Sequence, residues 1–249
     1  MLRSTILLLL SLLCLGTQAQ NFQSPYRLSL AVDIPLASGA LGFLTAGGLI
    51  GRTHSLPPKE SLLTLDRNQI NRFDRGATYN YSKPARYASD AFLYFSMATP
   101  LLHLPSANAR RDFGKVAAIS GEVLMLNLAL TNYVKEIMRR KRPLLYNPAV
   151  PMDKKWKADN FKSFFSGHTS TVAAMSFLYA NMYAQYNPNS KLKPMMWTLA
   201  ALMPLTTGFL RFKAGKHYWT DIIVGYAVGT LCGLAVPYLH STALAINRR

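Results

Sequence analysis

Carboxylates are scarce in this chain. Eleven Asp and Glu stand against 28 Lys and Arg, for a formal charge of +17 over 249 residues. With so few acids, five His and two Cys, no run of side chains has metal-ligand spacing, so neither a resident metal nor another cofactor is expected. Cysteine is scarcer still: Cys14 falls in a leader-like segment and Cys232 in an apolar one. An internal disulfide in the processed chain and a thiol redox role are thereby excluded. Internal repeats, low-complexity tracts and an evident linker are also absent, which favours one domain. Uninterrupted apolar runs are short, several falling below the roughly 20 residues that span a bilayer.

What the chain has instead is hydrophobic residues at 50% of its length, arranged in stretches at 28–50, 91–104, 116–138, 169–186, 195–210 and 222–246. This pattern predicts an all-α fold: a transmembrane helical bundle of about five or six helices, with a soluble helical bundle as the rival. The excess of positive charge calls for an anionic partner. The basic residues sit at the ends of apolar stretches and not on a polar face interleaved with aromatics. Phosphorylated lipid at a membrane therefore fits, and nucleic acid does not. At the N-terminus, Arg3, the apolar run 6–15 and Thr17-Gln18-Ala19 have the form of an export signal cut after Ala19.

Three short pieces carry chemistry: Lys135…Arg142-Pro143, Ser166-Gly167-His168, and Arg211…His217…Asp221. Lys135, Arg142 and Arg211 supply fixed positive charge and N–H donors suited to phosphoryl oxygens. His217 and Asp221 lie four apart, so a carboxylate opening a helix can turn back onto one ring nitrogen and leave the other free as a nucleophile. His168 is a second imidazole, able to protonate a leaving oxygen near neutral pH. Ser166 and Gly167 precede a predicted helix, where a hydroxyl and bare N–H groups cradle an anion. Taken singly, each has a bland reading: a basic membrane edge, a core histidine, a structural His–Asp pair. Their order is harder to dismiss. Lys135 closes the third stretch, His168 opens the fourth, Arg211 closes the fifth and Asp221 opens the sixth, so an up-and-down bundle brings all four ends to one face.

In these motifs the chain resembles the type 2 phosphatidic acid phosphatases, whose superfamily also holds vanadium haloperoxidases, glucose-6-phosphatase and bacterial class A acid phosphatases. The signature Lys-x6-Arg-Pro is matched in full from Lys135 to Pro143. Phe165 stands where Pro-Ser-Gly-His has proline, and Leu210 where Ser-Arg-x5-His-x3-Asp has serine. The resemblance covers roughly residue 88 to the C-terminus. It implies a metal-independent phosphatase in which His217 attacks phosphorus, Asp221 orients it, and His168 serves the leaving group and then water. Lys135, Arg142, Ser166, Gly167 and Arg211 would bind the phosphate.

The expected division is a signal over 1–19, an apolar segment with a basic, interfacial stretch over 20–87, and the phosphatase bundle over 88–249. A lipid phosphate or pyrophosphate is the expected substrate, of lipid A, undecaprenyl pyrophosphate or phosphatidylglycerophosphate type. A bacterial inner membrane with a periplasmic site is the expected location. That facing requires either that residues 28–50 do not span, which is the preferred reading, or that the first segment is no export signal. The polar stretch 52–86 is expected as an interfacial helix near the site. A soluble periplasmic acid phosphatase and a non-catalytic phosphate-binding protein are the alternatives.

Overall fold

A computed structural model describes residues 22–246; the export signal expected over 1–19 lies outside the described residues. Six long helices make up the bundle: α1 (Leu30–Arg52), α2 (Lys83–Met97), α3 (Phe113–Met138), α4 (Gly167–Tyr186), α5 (Lys193–Lys213) and α6 (Trp219–Leu239). Among the described residues there is no β-strand, only an isolated antiparallel bridge between Tyr26 and Ser241. The fold is thus all-α, and α1, α3 and α6 are each long and apolar enough to cross a membrane.

Local chemistry sets the helix boundaries. Ser82 caps α2 with Pro84 in its first turn, and Ser166 caps α4. The second helix therefore opens at Lys83, well ahead of the apolar stretch 91–104, whose second half winds into a 3₁₀ turn over Thr99–His103. At the end of α3, Arg139 adopts a left-handed conformation with φ of 42° and stops the helix. The interfacial helix expected over 52–86 does not form. Pro57 and Pro58 break the chain after α1, and Asp66 and Asn71 cap new short turns, leaving 3₁₀ segments and one short helix, Arg72–Arg75.

Packing shows how the helices run. A methyl added at Gly47 would meet Asn132 and the Tyr133 backbone at 3.0–3.3 Å, and one at Gly51 would meet the Glu136 carboxylate. Near the start of α1, Asp33 lies 3.6 Å from His240, which in turn binds Glu122 in the first half of α3. The helices α1 and α3 therefore run side by side in the same direction. The preferred expectation was that 28–50 does not span and lies in the interface or packs on the bundle; the helix does pack on α3, and it is also long and apolar enough to cross a membrane. Gly47 and Gly51 sit against α3, while Leu30, Ile34, Leu41 and Leu49 are exposed on the outside.

The centre of the bundle is α4, buried along most of its length, and α6 lies directly on its backbone. A Cβ added at Gly225, Gly229 or Gly233 would come within 2.6, 2.0 and 2.3 Å of the carbonyl oxygens of Ser166, Ser170 and Ala174. Four-residue spacing puts these glycines on one face, so the two helices approach as closely as backbones allow. At the other end of the bundle, buried His240 ties three elements: Nε2 meets Glu122 at 2.7 Å, and Nδ1 lies 3.1 Å from the Arg27 carbonyl and near Asp33.

This stripe generates a test. Gly233→Ala should lower stability by about 1–3 kcal/mol by overpacking while leaving the other helix ends in place. Gly225→Ala should also displace Ser166. Melting temperatures in detergent, read with phosphate-release activity, should show both variants destabilised and activity per folded molecule lost chiefly in Gly225→Ala.

Candidate active site

The alternation of helix directions brings the carboxyl ends of α1, α3 and α5 and the amino ends of α2, α4 and α6 to one end of the bundle. Lys135 lies in the last turn of α3, Gly167 and His168 in the first turn of α4, Arg211 in the last turn of α5, and Asp221 in the first turn of α6. His217 occupies the short connection between α5 and α6, and Arg142 follows the turn after α3. All eight residues expected at the site converge there.

His217 is only 1% exposed. Its Nε2 lies 3.5 Å from Nη1 of Arg142. Burial pushes its pKa well below the usual histidine value, and the charges of Arg142, Arg211 and Lys135 push the same way, so the ring is neutral at pH 7. The expected Asp221 contact is looser than a hydrogen bond: Oδ2 lies 3.4 Å from Nδ1, and that nitrogen has no hydrogen-bond partner. The carboxylate is occupied elsewhere. It accepts from Arg140 Nη1 at 2.5 Å, Ser163 Oγ at 2.5 Å and the Tyr218 backbone N–H at 3.0 Å.

Two of the three cations, Arg142 and Arg211, are held from behind. Arg142 donates through Nη2 to the Asp159 carboxylate and through Nε to the Asp159 carbonyl, both at 2.8 Å. Asp159 is correspondingly held at a pKa of about 2, because burial, which would raise it, is outweighed by Arg142, Lys135 and Lys216. Arg211 reaches Ser89 and Asp90 through Nη1, both at 3.3 Å, and its Nε is buried without a partner. Lys135 sits over the start of α4: a methyl at Gly167 would lie 3.6 Å from its Nζ.

His168 bonds Asp90 through Nε2 at 2.8 Å, so one carboxylate serves both His168 and Arg211. Ser166 is fully buried, and its hydroxyl pairs with Thr169 Oγ1 at 2.9 Å as the cap of α4. It therefore fixes the first turn, and the N–H groups of that turn are the bare donors.

Asp74, Asp90, Asp159, Arg140 and Ser163 were not legible as site residues. Asp74 comes from the broken segment after α1. It binds Arg140 at 2.7 Å, and Thr220 through both its N–H and hydroxyl at 3.1 and 2.6 Å. Burial would raise its pKa, but the Thr220 and Arg140 bonds prevail and lower it. Arg140 also stacks 4.1 Å over the Tyr218 ring. The usable signal was scarcity: Asp74, Asp90, Asp159 and Asp221 are four of only 11 acidic residues. Among the described residues, one trio of His and carboxylates has ligand atoms within 4.8 Å of one another, Asp33, Glu122 and His240, at the far end of the bundle. Long-range packing assembles it, which spacing in sequence did not foretell.

Residues 116–245, just over half the chain, match the model of the PAP2 superfamily. The chain is also similar to a crystal structure described as the first transmembrane PAP2-type phosphatidylglycerolphosphate phosphatase from Bacillus subtilis. Sequence identity is 20%, the match covers 84% of this chain and 95% of that one, and the TM-score is 0.51. At that identity the likeness is one of fold, an all-α membrane bundle, which agrees with the three apolar helices here. All three signature motifs fall inside the matched region, and the chain belongs to the PAP2 superfamily.

Proposed function

We propose that this chain is a membrane phosphatase that hydrolyses a lipid phosphate or pyrophosphate through a phosphohistidine on His217, with no metal in the reaction. The observation that carries this reading is a neutral, buried His217 set among the charges of Arg142, Arg211 and Lys135. A neutral imidazole is a nucleophile, and three fixed cations stabilise the charge that builds up on phosphoryl oxygens.

The Nε2 lone pair forms a bond to phosphorus as the bond from phosphorus to the lipid oxygen breaks, and His168 gives that oxygen its proton. Water then attacks the phosphohistidine, losing a proton to His168, and the N–P bond breaks to release phosphate. Lys135, Arg142, Arg211 and the Gly167 N–H hold the non-bridging oxygens, with Ser166 fixing the turn that presents that N–H. Asp221 steadies the loop on which His217 stands through the Tyr218 N–H and Arg140. Asp90 positions His168 and Arg211 together. The apolar helices favour a lipid substrate over the soluble one of a periplasmic acid phosphatase. Lipid A, undecaprenyl pyrophosphate and phosphatidylglycerophosphate are the candidate types, the last being close to what the Bacillus subtilis protein is named for.

The location we propose is the inner membrane with the site facing the periplasm. Because α1 and α3 run in the same direction, the start of α1 lies at the end of the bundle opposite the site. With α1 spanning, as we propose, a periplasmic site requires a cytoplasmic start of α1, so on this reading the first segment is retained and not cleaved.

His217→Ala should reduce phosphate release from a panel of lipid phosphates by more than about a thousandfold, with EDTA present throughout. Activity that disappears in EDTA and returns with Mg²⁺ would refute the metal-free reaction. The lowered pKa of His217 has a defined sign: protonation removes the nucleophile, and the depressed value delays protonation to lower pH. The acid limb of kcat/KM should therefore lie below pH about 6.5; a limb above that value would contradict a depressed nucleophile. Facing is measured separately. A cysteine placed at Lys157 in a Cys14→Ser/Cys232→Ser background should react with an impermeant thiol reagent from the periplasmic side, in protein whose mass includes the first segment. Protection of that cysteine together with a cleaved N-terminus would reverse the orientation.

A further inference from the structure

Beside the loop that carries His217 lies a cavity of about 380 Å³ whose charged lining is strongly one-sided: Lys83, Arg86, Lys154, Lys157 and Lys216 against Asp159 alone. The walls are shared with the site. Asp159 is the residue that holds Arg142, and its charge is thereby taken up. Lys216 adjoins His217, and its carbonyl lies 3.4 Å from Arg142 Nη1. Arg86 lies 3.8 Å from Asp90, the carboxylate that binds His168 and Arg211. The residues that shape the cavity are thus the immediate supports of the groups around the transferred phosphoryl.

The positive charge exceeds what one phosphoryl needs. Lys135, Arg142 and Arg211 already surround that group, as phosphoryl oxygens require. Among the described residues, Lys83, Lys157 and Lys216 have no carboxylate within 4.0 Å, and Lys154 has only its exposed neighbour Asp153 at 3.2 Å. Lys216 is the innermost of them. Burial and then the Arg142 charge lower its pKa to about 8, the mark of an ammonium held among cations without its own counter-ion. Clustered cations with low-dielectric walls concentrate an anion at the spot where their fields overlap.

We infer that this cavity is a second anion subsite that receives another phosphate group of the substrate, next to the one being removed. The inference rests on the phosphatase reading and narrows its substrate class. The favoured molecules are a lipid diphosphate, or a phosphomonoester with a phosphodiester close by on the same head group. A lipid with a single phosphate would leave the cavity's cations unmatched. The cavity has room for the linking atoms as well as the second phosphate.

The test compares two lipids with the same chain, one a monophosphate and one a diphosphate, in micelles of neutral detergent. Wild type is measured against the double variant Lys154→Gln/Lys157→Gln and against Lys83→Gln, with melting temperatures to confirm folding. Wild type should prefer the diphosphate in kcat/KM, and that preference should fall about tenfold or more in the double variant, with a smaller fall for Lys83→Gln. A loss shared equally by both lipids, or no wild-type preference, would overturn the subsite. A preference that appears only when anionic lipid is mixed into the micelle would overturn it too, since the cations would then serve the membrane surface. Thermal stabilisation by methylenediphosphonate over inorganic phosphate reads the subsite without turnover. If neither lipid is hydrolysed but that difference is present and vanishes in the double variant, the phosphatase reading fails and the subsite stands. If the difference is absent, the subsite fails by itself.

Discussion

Like charges repel, and this protein gathers Lys135, Arg142 and Arg211 at one buried spot. In a medium of effective dielectric near 20, two unit charges 4 Å apart cost about 4 kcal/mol, so such a cluster persists only with carboxylates close behind. Among the described residues the two arginines have their own, Lys135 has none within 4.0 Å, and the neighbouring Arg140 has two. Asp159 backs Arg142, Asp90 backs Arg211, and Asp74 with Asp221 back Arg140. The compensation comes from outside, leaving the inward side positive. The partnerless Nε of buried Arg211 is the clearest sign of that imbalance. On the proposed function an entering phosphate would complete the neutralisation, and Asp159 and Asp90 hold the two arginines from the back.

The backbone scaffold carries this arrangement. The glycines of α6 let it rest on the carbonyls of α4, so the first turns of the two helices, with Ser166 and Asp221, are fixed to one another; the Ser166 N–H bonds the Asp221 carbonyl at 3.0 Å. His217 hangs from the connection into α6 and inherits that rigidity. At the opposite end, His240 locks the starts of the outer helices through Glu122 and the Arg27 carbonyl. The segment after α1 contributes by wrapping: broken by prolines, it folds back over the site and delivers Asp74 to Arg140 and Thr220.

The two departures from the family signature leave the ionic machinery in place. Phe165 is buried ahead of the α4 cap. Leu210 replaces a hydroxyl beside Arg211, while Ser163, which lies outside the signature, brings a hydroxyl to Asp221. In this chain the loop before α4 thus supports both the first turn of α4 and the carboxylate of Asp221 behind the His217 loop.

Several features were determined by sequence alone. Alternating apolar stretches dictate an all-α bundle, because only helices satisfy the backbone of such segments locally. The order of Lys135, His168, Arg211 and Asp221 along successive helix ends dictates that they meet. The four-residue spacing of Gly225, Gly229 and Gly233 is a property of the sequence, but only the fold set those glycines against the carbonyls of α4. The tertiary structure decided the rest. Whether residues 28–50 join the bundle depended on contacts with α3 more than 80 residues away, and periodicity does not encode those. The partner of Asp221 depended on competition: local spacing offered His217, but Arg140, Ser163 and the Tyr218 N–H give a carboxylate stronger bonds than a neutral ring can. Asp74, Asp90 and Asp159 are single residues on separate segments, and only the folded chain turns them into counter-charges for one site.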